Sequence, residues 1–535
     1  MPAVTGLAQT TDGDKVPNTP AARLWSAARR YPHFIASAFL GLAFLTLYTY
    51  TLAPGLLGHD CGDWQAAGAT LGISHSPGSP AYTIITWLVS LVPVGNLPAR
   101  VSFVSALVGA AGVIAVYVFM LMLLGRWLPA LVSALTLGFG GQWWAQSSVA
   151  DPYNAIPAMI AVFLILLLLW QRKGDIRLVW GGAFLAAFGF AYHPTILYFI
   201  PVLLAGVLVL GPWRKLLKPK ALLVTLLLII LGVSFYAYLP IRSATNPAVL
   251  YEKIDSLGRL YRFVTVSGAR STGSFAVTVP GQELLRERLS EVVRQGYYPS
   301  FAFLVLAPAI TLLYPVVLRK LKQLRRYLIW LAAGAFFHMA VVFAISGVYL
   351  QYYLPLLLYF SIWTGFSLYL VMTTAGAYLE KGRFRQVPGI ITAVIYMGVL
   401  ALGLPHIWPF VNHHDDHGMR TFGNWAFSQA KPGAVILANW DSEPGLLYMQ
   451  KVEGQRPDLK IYAVPPDTWR NNLNDVRKKY PKAQVLLARS LPFDNRAETR
   501  AIGSWYFISI KGRTYQDQDH DLPWPAAVQL FEVTS

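Results

Sequence analysis

Long apolar stretches alternate with short polar connectors along most of this chain. Each stretch runs to about 20 residues, enough for a helix to cross a hydrocarbon layer roughly 30 Å thick. The pattern therefore predicts about eleven membrane-spanning helices. We place them at residues 33–53, 101–124, 127–146, 155–171, 177–193, 195–211, 220–240, 298–318, 327–346, 350–372 and 388–408.

The remaining polar segments divide the chain into parts. Residues 1–32 are predicted to be a disordered tail, residues 33–408 a transmembrane domain, and residues 409–535 a small soluble α/β domain, the tail domain. Two longer connectors interrupt the membrane domain: the first connector, residues 54–100, and the second connector, residues 241–297. Pro and Gly punctuate the first connector, which predicts short helices lying along the membrane surface.

Short apolar runs in the tail domain alternate with polar segments that have a helical pattern. The runs AVILANW, LKIYAV, AQVLLA and WYFISI are typical of strands, whereas PGLLYMQKVEG and DTWRNNLNDVRKKY are typical of helices. This alternation favours a partly parallel sheet. No Gly-rich phosphate loop follows these strands, so we expect no nucleotide site there.

Charge sets the predicted orientation. The chain is 55% hydrophobic and 13% charged, with a formal net charge of +18. Its Lys and Arg residues crowd into the loops at 172–177, 214–220, 319–326 and 381–385. The positive-inside rule explains this excess better than nucleic-acid binding does. We therefore expect a multi-pass protein of the cell inner (plasma) membrane that contacts lipid and no nucleic acid, with a cytoplasmic N-terminus and both connectors and the tail domain outside.

Carboxylates are rare in the first 250 residues, and three of them fall at predicted helix ends on the outer side: Asp60, Asp63 and Asp151. Burying charge there is costly, and function is the usual reason to keep it. Asp60 and Asp63 lie three residues apart, so a helical turn points both to one side, as a general base with its orienting partner or as a cation site. Helix capping by Asp60 is the structural alternative, which explains one aspartate and not the pair.

Further candidate residues lie near the same predicted surface. His75 sits in a loop stiffened by prolines, although that loop is equally typical of a simple turn. Tyr153, with its neighbouring tryptophans, fits an interfacial aromatic belt and is also kept as a substrate contact beside Asp151. His193 precedes a proline that breaks a helix, where a structural role is common. Arg242 is placed to grip a phosphate, or to reach lipid headgroups.

Two other features carry less weight. The single cysteine, Cys61, excludes an internal disulfide. The run HHDDH, residues 413–417, has metal-ligand residue types, but its spacing matches no closed zinc site. We expect a solvated linker there, assign no residue to a metal, and leave a divalent-metal requirement open.

The order of these motifs resembles a known family. TLAPGLLGHDCGDWQAAGATLGISHSPGSPAY is similar to the opening signature of the bacterial membrane proteins related to the animal endoplasmic-reticulum O-mannosyltransferase that modifies receptor ectodomains. QWWAQSSVADPYNA, FGFAYHPTILY, YLPIRSATNP and GAVILANWDSEPGLLYMQKVEGQRPDLKIY resemble later blocks. This chain departs from the signature at four positions: Cys61, Asp63, Ser76 and Asp151.

The resemblance implies a multi-spanning GT-C glycosyltransferase with a polyprenyl-phosphate-linked sugar donor and a catalytic carboxylate in the first connector. The hypothesis is inverting transfer of a sugar, with mannose as the candidate, to a hydroxyl of a protein or glycan at the outer membrane face. Asp60 and Asp63 would be catalytic, and His75, Asp151, Tyr153, His193 and Arg242 would bind substrate. The rival reading is a transporter or flippase of a lipid-linked sugar, which usually carries polar groups nearer mid-membrane.

Overall fold

The structure is a computed structural model. It describes residues 32–267, 286, 322–344, 350–378, 386–464, 469–490, 499–501, 506–508, 514–517, 520–523 and 526–533. The predicted span at 298–318 and the predicted disordered tail, apart from Pro32, lie outside the described residues.

The described part of the membrane domain is helical, and ten of the eleven predicted spans fall on its helices. The helices are α1 (Pro32–Tyr50), α2 (His59–Thr70), α3 (Pro80–Ser90), α4 (Leu97–Leu124), α5 (Trp127–Gly138), α6 (Gly141–Ser147), α7 (Ala155–Lys173), α8 (Arg177–Tyr192), α9 (Ile200–Leu210), α10 (Pro219–Val233), α11 (Tyr238–Ala244), α12 (Leu257–Val264), α13 (Lys322–Ala344), α14 (Leu354–Tyr378) and α15 (Val387–Val411).

Seven helical segments of the described residues are long and apolar enough to cross a membrane. Three more apolar helical segments are shorter: α5, α8 and the segment Pro194–Leu210. The predicted span 127–146 is wrong as one helix, because the chain breaks after Gly138 and restarts as the short α6. The predicted span 195–211 begins with a 3-10 turn, Pro194–Phe199, as expected where prolines interrupt a helix.

The membrane core is built from tight contacts between helices. Buried side chains of α1, α4, α5, α7, α9, α13 and α14 form one large cluster. Gly112 on α4 lies so close to the indole of Trp143 that a Cβ at this position would collide with the ring. By contrast, α10 leaves most of its leucines and isoleucines exposed, as expected of a helix that faces lipid.

The first connector contains two short helices, α2 and α3, as its sequence predicts. Their side chains are more enclosed than those of surface helices, since Cys61, Trp64 and Ala67 of α2 are almost completely buried. The helix α2 therefore lies inside the protein, between the helical bundle and the tail domain, whereas residues 91–96 of the same connector are exposed.

The tail domain is a partly parallel α/β fold, as predicted. Its strand β1 pairs in parallel with β2 and β3, while β8 pairs antiparallel with β3, β4 and β5, and β6 and β7 form a separate hairpin. The helices are α16 (Gly418–Gln429), α17 (Glu443–Lys451) and α18 (Trp469–Lys479), and the strands are β1 (Val435–Ala438), β2 (Lys460–Ala463), β3 (Val485–Ser490), β4 (Thr499–Ala501), β5 (Tyr506–Ile508), β6 (Thr514–Asp517), β7 (His520–Pro523) and β8 (Ala526–Val533).

One hydrophobic cluster joins the tail domain to the membrane domain. Leu56 and Ala66 of the first connector and Val249 of the second pack into the same core as Met419 and Phe422 of α16. A Cβ on Gly62 of α2 would collide with the carbonyl oxygen of Leu57, and it would also lie 3.3 Å from the backbone nitrogen of Gly445 on α17. The two parts thus meet through buried apolar side chains and closely packed backbone.

Candidate functional site

The candidate site forms where α2 begins against the tail domain. The Nε1–H of Trp440 donates to Asp60 Oδ1 at 2.6 Å, and His59 Nδ1 lies 3.1 Å from the same oxygen. The backbone N–H of His59 donates to the carbonyl oxygen of Asp441 at 3.2 Å. His59 adopts a left-handed conformation, with φ of 55°, which costs a non-glycine residue roughly 1–2 kcal/mol. The tail domain therefore contacts both residues that open the helix.

One turn further along α2, Asp63 holds the loop that carries His75. Asp63 Oδ2 accepts from the backbone N–H of His75 and from its ring Nδ1, both at 2.7 Å. The indoles of Trp64 and Trp440 flank the imidazole, with ring centroids 4.8 and 5.3 Å away. The Asp63 side chain is 9% exposed and that of His75 17% exposed, so the pair is enclosed while the imidazole retains an opening to solvent.

Opposite charges decide the protonation of this cluster. Burial alone would raise the pKa of Asp60, but the imidazoles of His59 and His75 and the Trp440 donor outweigh it and hold that pKa well below its usual value. Burial alone would lower the pKa of His75, but Asp60, Asp63 and Asp151 outweigh it and raise the pKa to about 9. At neutral pH the site therefore holds an imidazolium beside ionised Asp60.

A carboxyl from the tail domain enters the same site. Glu443, the first residue of α17, is 7% exposed. Burial and the nearby charge of Asp63 raise the pKa of Glu443 to about 8. At neutral pH this carboxyl is mostly protonated, so it adds little negative charge next to the aspartates.

Asp151, Tyr153 and His193 line the adjoining side of the site. Asp151 is completely buried, and its carboxylate accepts from the backbone N–H of Tyr153 at 3.3 Å. The ring of Tyr153 stacks at a tilt on that of His193, with centroids 4.4 Å apart. His193 Nδ1 is 2.9 Å from Thr195 Oγ1, so this histidine also closes the break before the 3-10 turn.

Arg242 lies elsewhere. Its guanidinium donates to the carbonyl oxygens of Leu71 and Thr70, at 2.5 and 3.1 Å, and to Thr245 Oγ1 at 3.0 Å. These carbonyls belong to the end of α2 opposite Asp60, about 15 Å away along the helix axis. The observed contacts cap a helix. The phosphate contact of Arg242 stays a prediction, and the structure does not bring this residue to Asp60 and His75.

Sequence reasoning missed the tail-domain side of the site, namely Trp440 and Glu443. A signal was present, because the residues Asn439–Glu443 directly follow β1, and loops at the carboxyl ends of parallel strands commonly carry function. Tyr251 of the second connector was also missed; its ring lies 5.9 Å from Trp440 and 6.4 Å from His75.

The run 413–417 is only partly the solvated linker that its sequence predicts, because His414, Asp415 and His417 are exposed while the other two residues are not. His413 is completely buried and Asp416 is 4% exposed, with 3.7 Å between His413 Nδ1 and Asp416 Oδ2. The reason is that the backbone N–H of His413 bonds to the carbonyl oxygen of Thr51 at the end of α1, which pulls the segment inward. Within the described ranges, no group of three His, Cys, Asp or Glu side chains is placed to hold a metal ion.

Comparison with known proteins finds relatives that share a name. A family model described as the protein O-mannosyl-transferase TMEM260 N-terminal domain matches residues 60–216. The chain is 23% identical to protein O-mannosyl-transferase TMEM260 of Mus musculus over 442 residues, which is 78% of this chain and 60% of the mouse protein. A Dictyostelium discoideum protein of the same name is 23% identical over 123 residues, 22% of this chain and 15% of that protein. The chain thus spans less than two thirds of the length of these relatives.

The fold has a counterpart among solved structures. The crystal structure of ArnT from Cupriavidus metallidurans bound to undecaprenyl phosphate superposes with a TM-score of 0.54 at 12% identity, covering 94% of this chain and 99% of ArnT. The likeness confirms the predicted architecture of a helical membrane domain with a small tail domain. In sequence the chain is therefore similar to the TMEM260 protein O-mannosyl-transferases, and in fold it is similar to ArnT.

Proposed function

We propose that the chain is a glycosyltransferase that moves a sugar from a polyprenyl phosphate to a hydroxyl of a protein or glycan, with inversion at the sugar carbon. Mannose is the first candidate sugar, because TMEM260 relatives are protein O-mannosyltransferases by name. The observation that carries the proposal is the convergence of Asp60, Asp63 and protonated His75 between the bundle and the tail domain. We place this site on the exterior of the plasma membrane, with the N-terminus in the cytoplasm.

The reaction breaks one bond and forms one. The acceptor oxygen attacks the anomeric carbon, the carbon–oxygen bond to phosphate breaks, and polyprenyl phosphate leaves with the electron pair. The acceptor proton passes to a carboxylate. We assign that role to Asp60, because both hydrogen bonds of Asp63 Oδ2 hold His75, and because the Asp60 side chain is more exposed, at 14% against 9% for Asp63. Asp63 then orients the histidine.

His75 is assigned to the leaving group. Charge on the phosphate grows as the bond breaks, and a fixed cation nearby stabilises that change more than it stabilises the substrate. His75 Nδ1 is bonded to Asp63, so the remaining donor of the imidazolium is its Nε2–H, which points away from that carboxylate. Asp151, Tyr153 and His193 complete the binding surface on the side of the membrane helices.

The experiment is transfer by the full-length protein in lipid vesicles. The donors are polyprenyl phosphates carrying mannose, glucose, galactose or aminoarabinose, and the acceptors are Ser/Thr-rich peptides and oligosaccharides. We expect the wild type to modify at least one acceptor and Asp60→Asn to lower kcat by about 10²- to 10⁴-fold. Asp175→Asn is the matched control, because Asp175 is exposed and bonds only to the backbone N–H of Arg177 among the described contacts.

Two results would overturn the proposal. In one, Asp60→Asn transfers sugar at the wild-type rate, which removes the base. In the other, wild-type protein modifies no acceptor but carries the labelled donor lipid across the vesicle bilayer, which supports the flippase reading.

A further inference from the structure

Trp440 contacts the Asp60 carboxylate from outside α2. Its Nε1 is 2.6 Å from Asp60 Oδ1, although the two residues are 380 positions apart in the chain. A hydrogen bond to an ionised carboxylate is roughly twice as strong as one between neutral groups. The bond favours the anionic form and fixes the direction in which the second carboxylate oxygen faces.

The indole is held in place from several sides. Its ring meets those of His75, Tyr251 and His59 with centroid distances of 5.3, 5.9 and 6.5 Å. The neighbouring residue, Asp441, accepts the backbone N–H of His59. A side chain locked by its neighbours loses little entropy when it donates, so its bond to Asp60 is effective.

The packing of the tail domain supports this position. Gly62 of α2 approaches Gly445 of α17 closely, and Leu56 and Ala66 share a core with α16. Because Trp440 lies in the loop between β1 and α17, any displacement of the tail domain from α2 also removes the donor from Asp60.

We propose that Trp440 is a positioning residue of the transferase: its indole N–H orients the Asp60 carboxylate for proton abstraction, so that the membrane domain is competent only with the tail domain docked. The inference rests on the proposed function and assigns the tail domain a part in the chemistry, beyond guiding an acceptor.

Several other ionisable groups lie near Asp60, and a measurement of rate against pH has to be interpreted with all of them in view. His59 and Asp63 lie on the same helix, His75 and Asp151 come from membrane-domain loops, His193 follows α8, and Asp441 and Glu443 come from the tail domain. Trp440→Phe replaces none of these groups and keeps an aromatic ring beside His59 and His75, so a change in the acid limb of the pH profile is assigned to Asp60.

The test is Trp440→Phe in the full-length protein in vesicles, which removes the N–H and keeps an aromatic ring. We expect kcat to fall between about 10-fold and 100-fold with little change in KM for the lipid donor, since a bond to a charged group is lost. Without its donor Asp60 binds a proton more readily, so the acid limb of the rate profile moves to higher pH. Trp425→Phe, on α16 and packed on Phe422, is the matched control and keeps the wild-type profile.

Thermal unfolding of both variants separates positioning from folding. If Trp440→Phe melts with the wild type and keeps the wild-type kcat and acid limb, Trp440 does not position Asp60, while an active wild type leaves the transferase function standing. A lower melting temperature with an unmoved acid limb, measured on the folded fraction, also overturns the inference. Inactivity of the wild type toward every donor would instead count against the proposed function.

Discussion

Two short segments of this chain are made of the same residue types and differ in what surrounds them. The first, His59–His75, places its histidines and aspartates against one another and against Trp440. The second, His413–His417, buries His413 and Asp416, yet neither ring nitrogen of His413 has a hydrogen-bond partner within the described part of the chain. The comparison teaches that the same residue types become a mutually bonded cluster in this protein only where distant segments supply partners for them.

The strongest test of this difference is to replace one histidine in each segment. We expect His75→Gln to lower kcat by about 10²-fold, because it removes the cation beside the leaving phosphate. The wild-type rate should fall as pH rises through about 9, where His75 loses its proton, and the variant should keep only the smaller fall near pH 8 that Glu443 causes. The measurement is the rate of sugar transfer between pH 6 and 10.

His413→Gln is the control for that exchange, and we expect a rate within about threefold of the wild type. Equal losses in the two variants, measured on folded protein, would mean that the two segments do not differ in function.

A second substitution tests whether the tail domain affects the site. Glu443→Gln imitates the protonated carboxyl, so we expect wild-type activity at pH 7. As pH rises through about 8, wild-type Glu443 ionises and places a negative charge beside Asp63 that opposes the departing phosphate. The ratio of variant to wild-type kcat/KM should therefore rise severalfold above pH 8. A ratio that stays flat to pH 9.5 would contradict this prediction. The control is Glu453→Gln, which removes a carboxylate that pairs with Arg420.

The smallest expected effect on catalysis concerns Arg242. Because its guanidinium bonds to carbonyl oxygens at the end of α2, Arg242→Gln should destabilise the fold by about 1–3 kcal/mol and change kcat by less than about threefold. Thermal unfolding and transfer rates measure the two effects. A 100-fold loss of rate at an unchanged melting temperature would restore the phosphate role that the sequence suggests.

Much of the fold follows from the sequence because the membrane limits the choices. A run of about 20 apolar residues that crosses a membrane has to be a helix. The expected break at Pro194 is present, because α8 ends just before it and a 3-10 turn begins there. The division at Phe139 and Gly140 was not predicted, although the helix after it is the more polar one, with Gln142, Gln146 and Ser147. In the tail domain, the alternation of strand and helix patterns gives the parallel pairing of β1 with β2 and β3.

The site could be predicted on one side only. Asp60, Asp63 and Asp151 stand out because charge is scarce among apolar helices, and Asp63 and His75 are close in the chain. Trp440 and Glu443 do not stand out in a soluble domain. Nothing in the sequence indicates that the loop after β1 packs against α2. The same limit applies to Arg242 and His413, whose backbone partners depend on how separate segments pack.

The bond between Trp440 and Asp60 spans 380 positions, and that separation has a consequence for biosynthesis. At a synthesis rate of about 5–20 residues per second, Trp440 is translated roughly 20–80 s after Asp60. Throughout this interval the newly made α2 lacks the apolar cover that Met419 and Phe422 later provide. The hydrogen bond can therefore form only after this interval, once the tail domain has been made and α16 can cover Ala66 of α2.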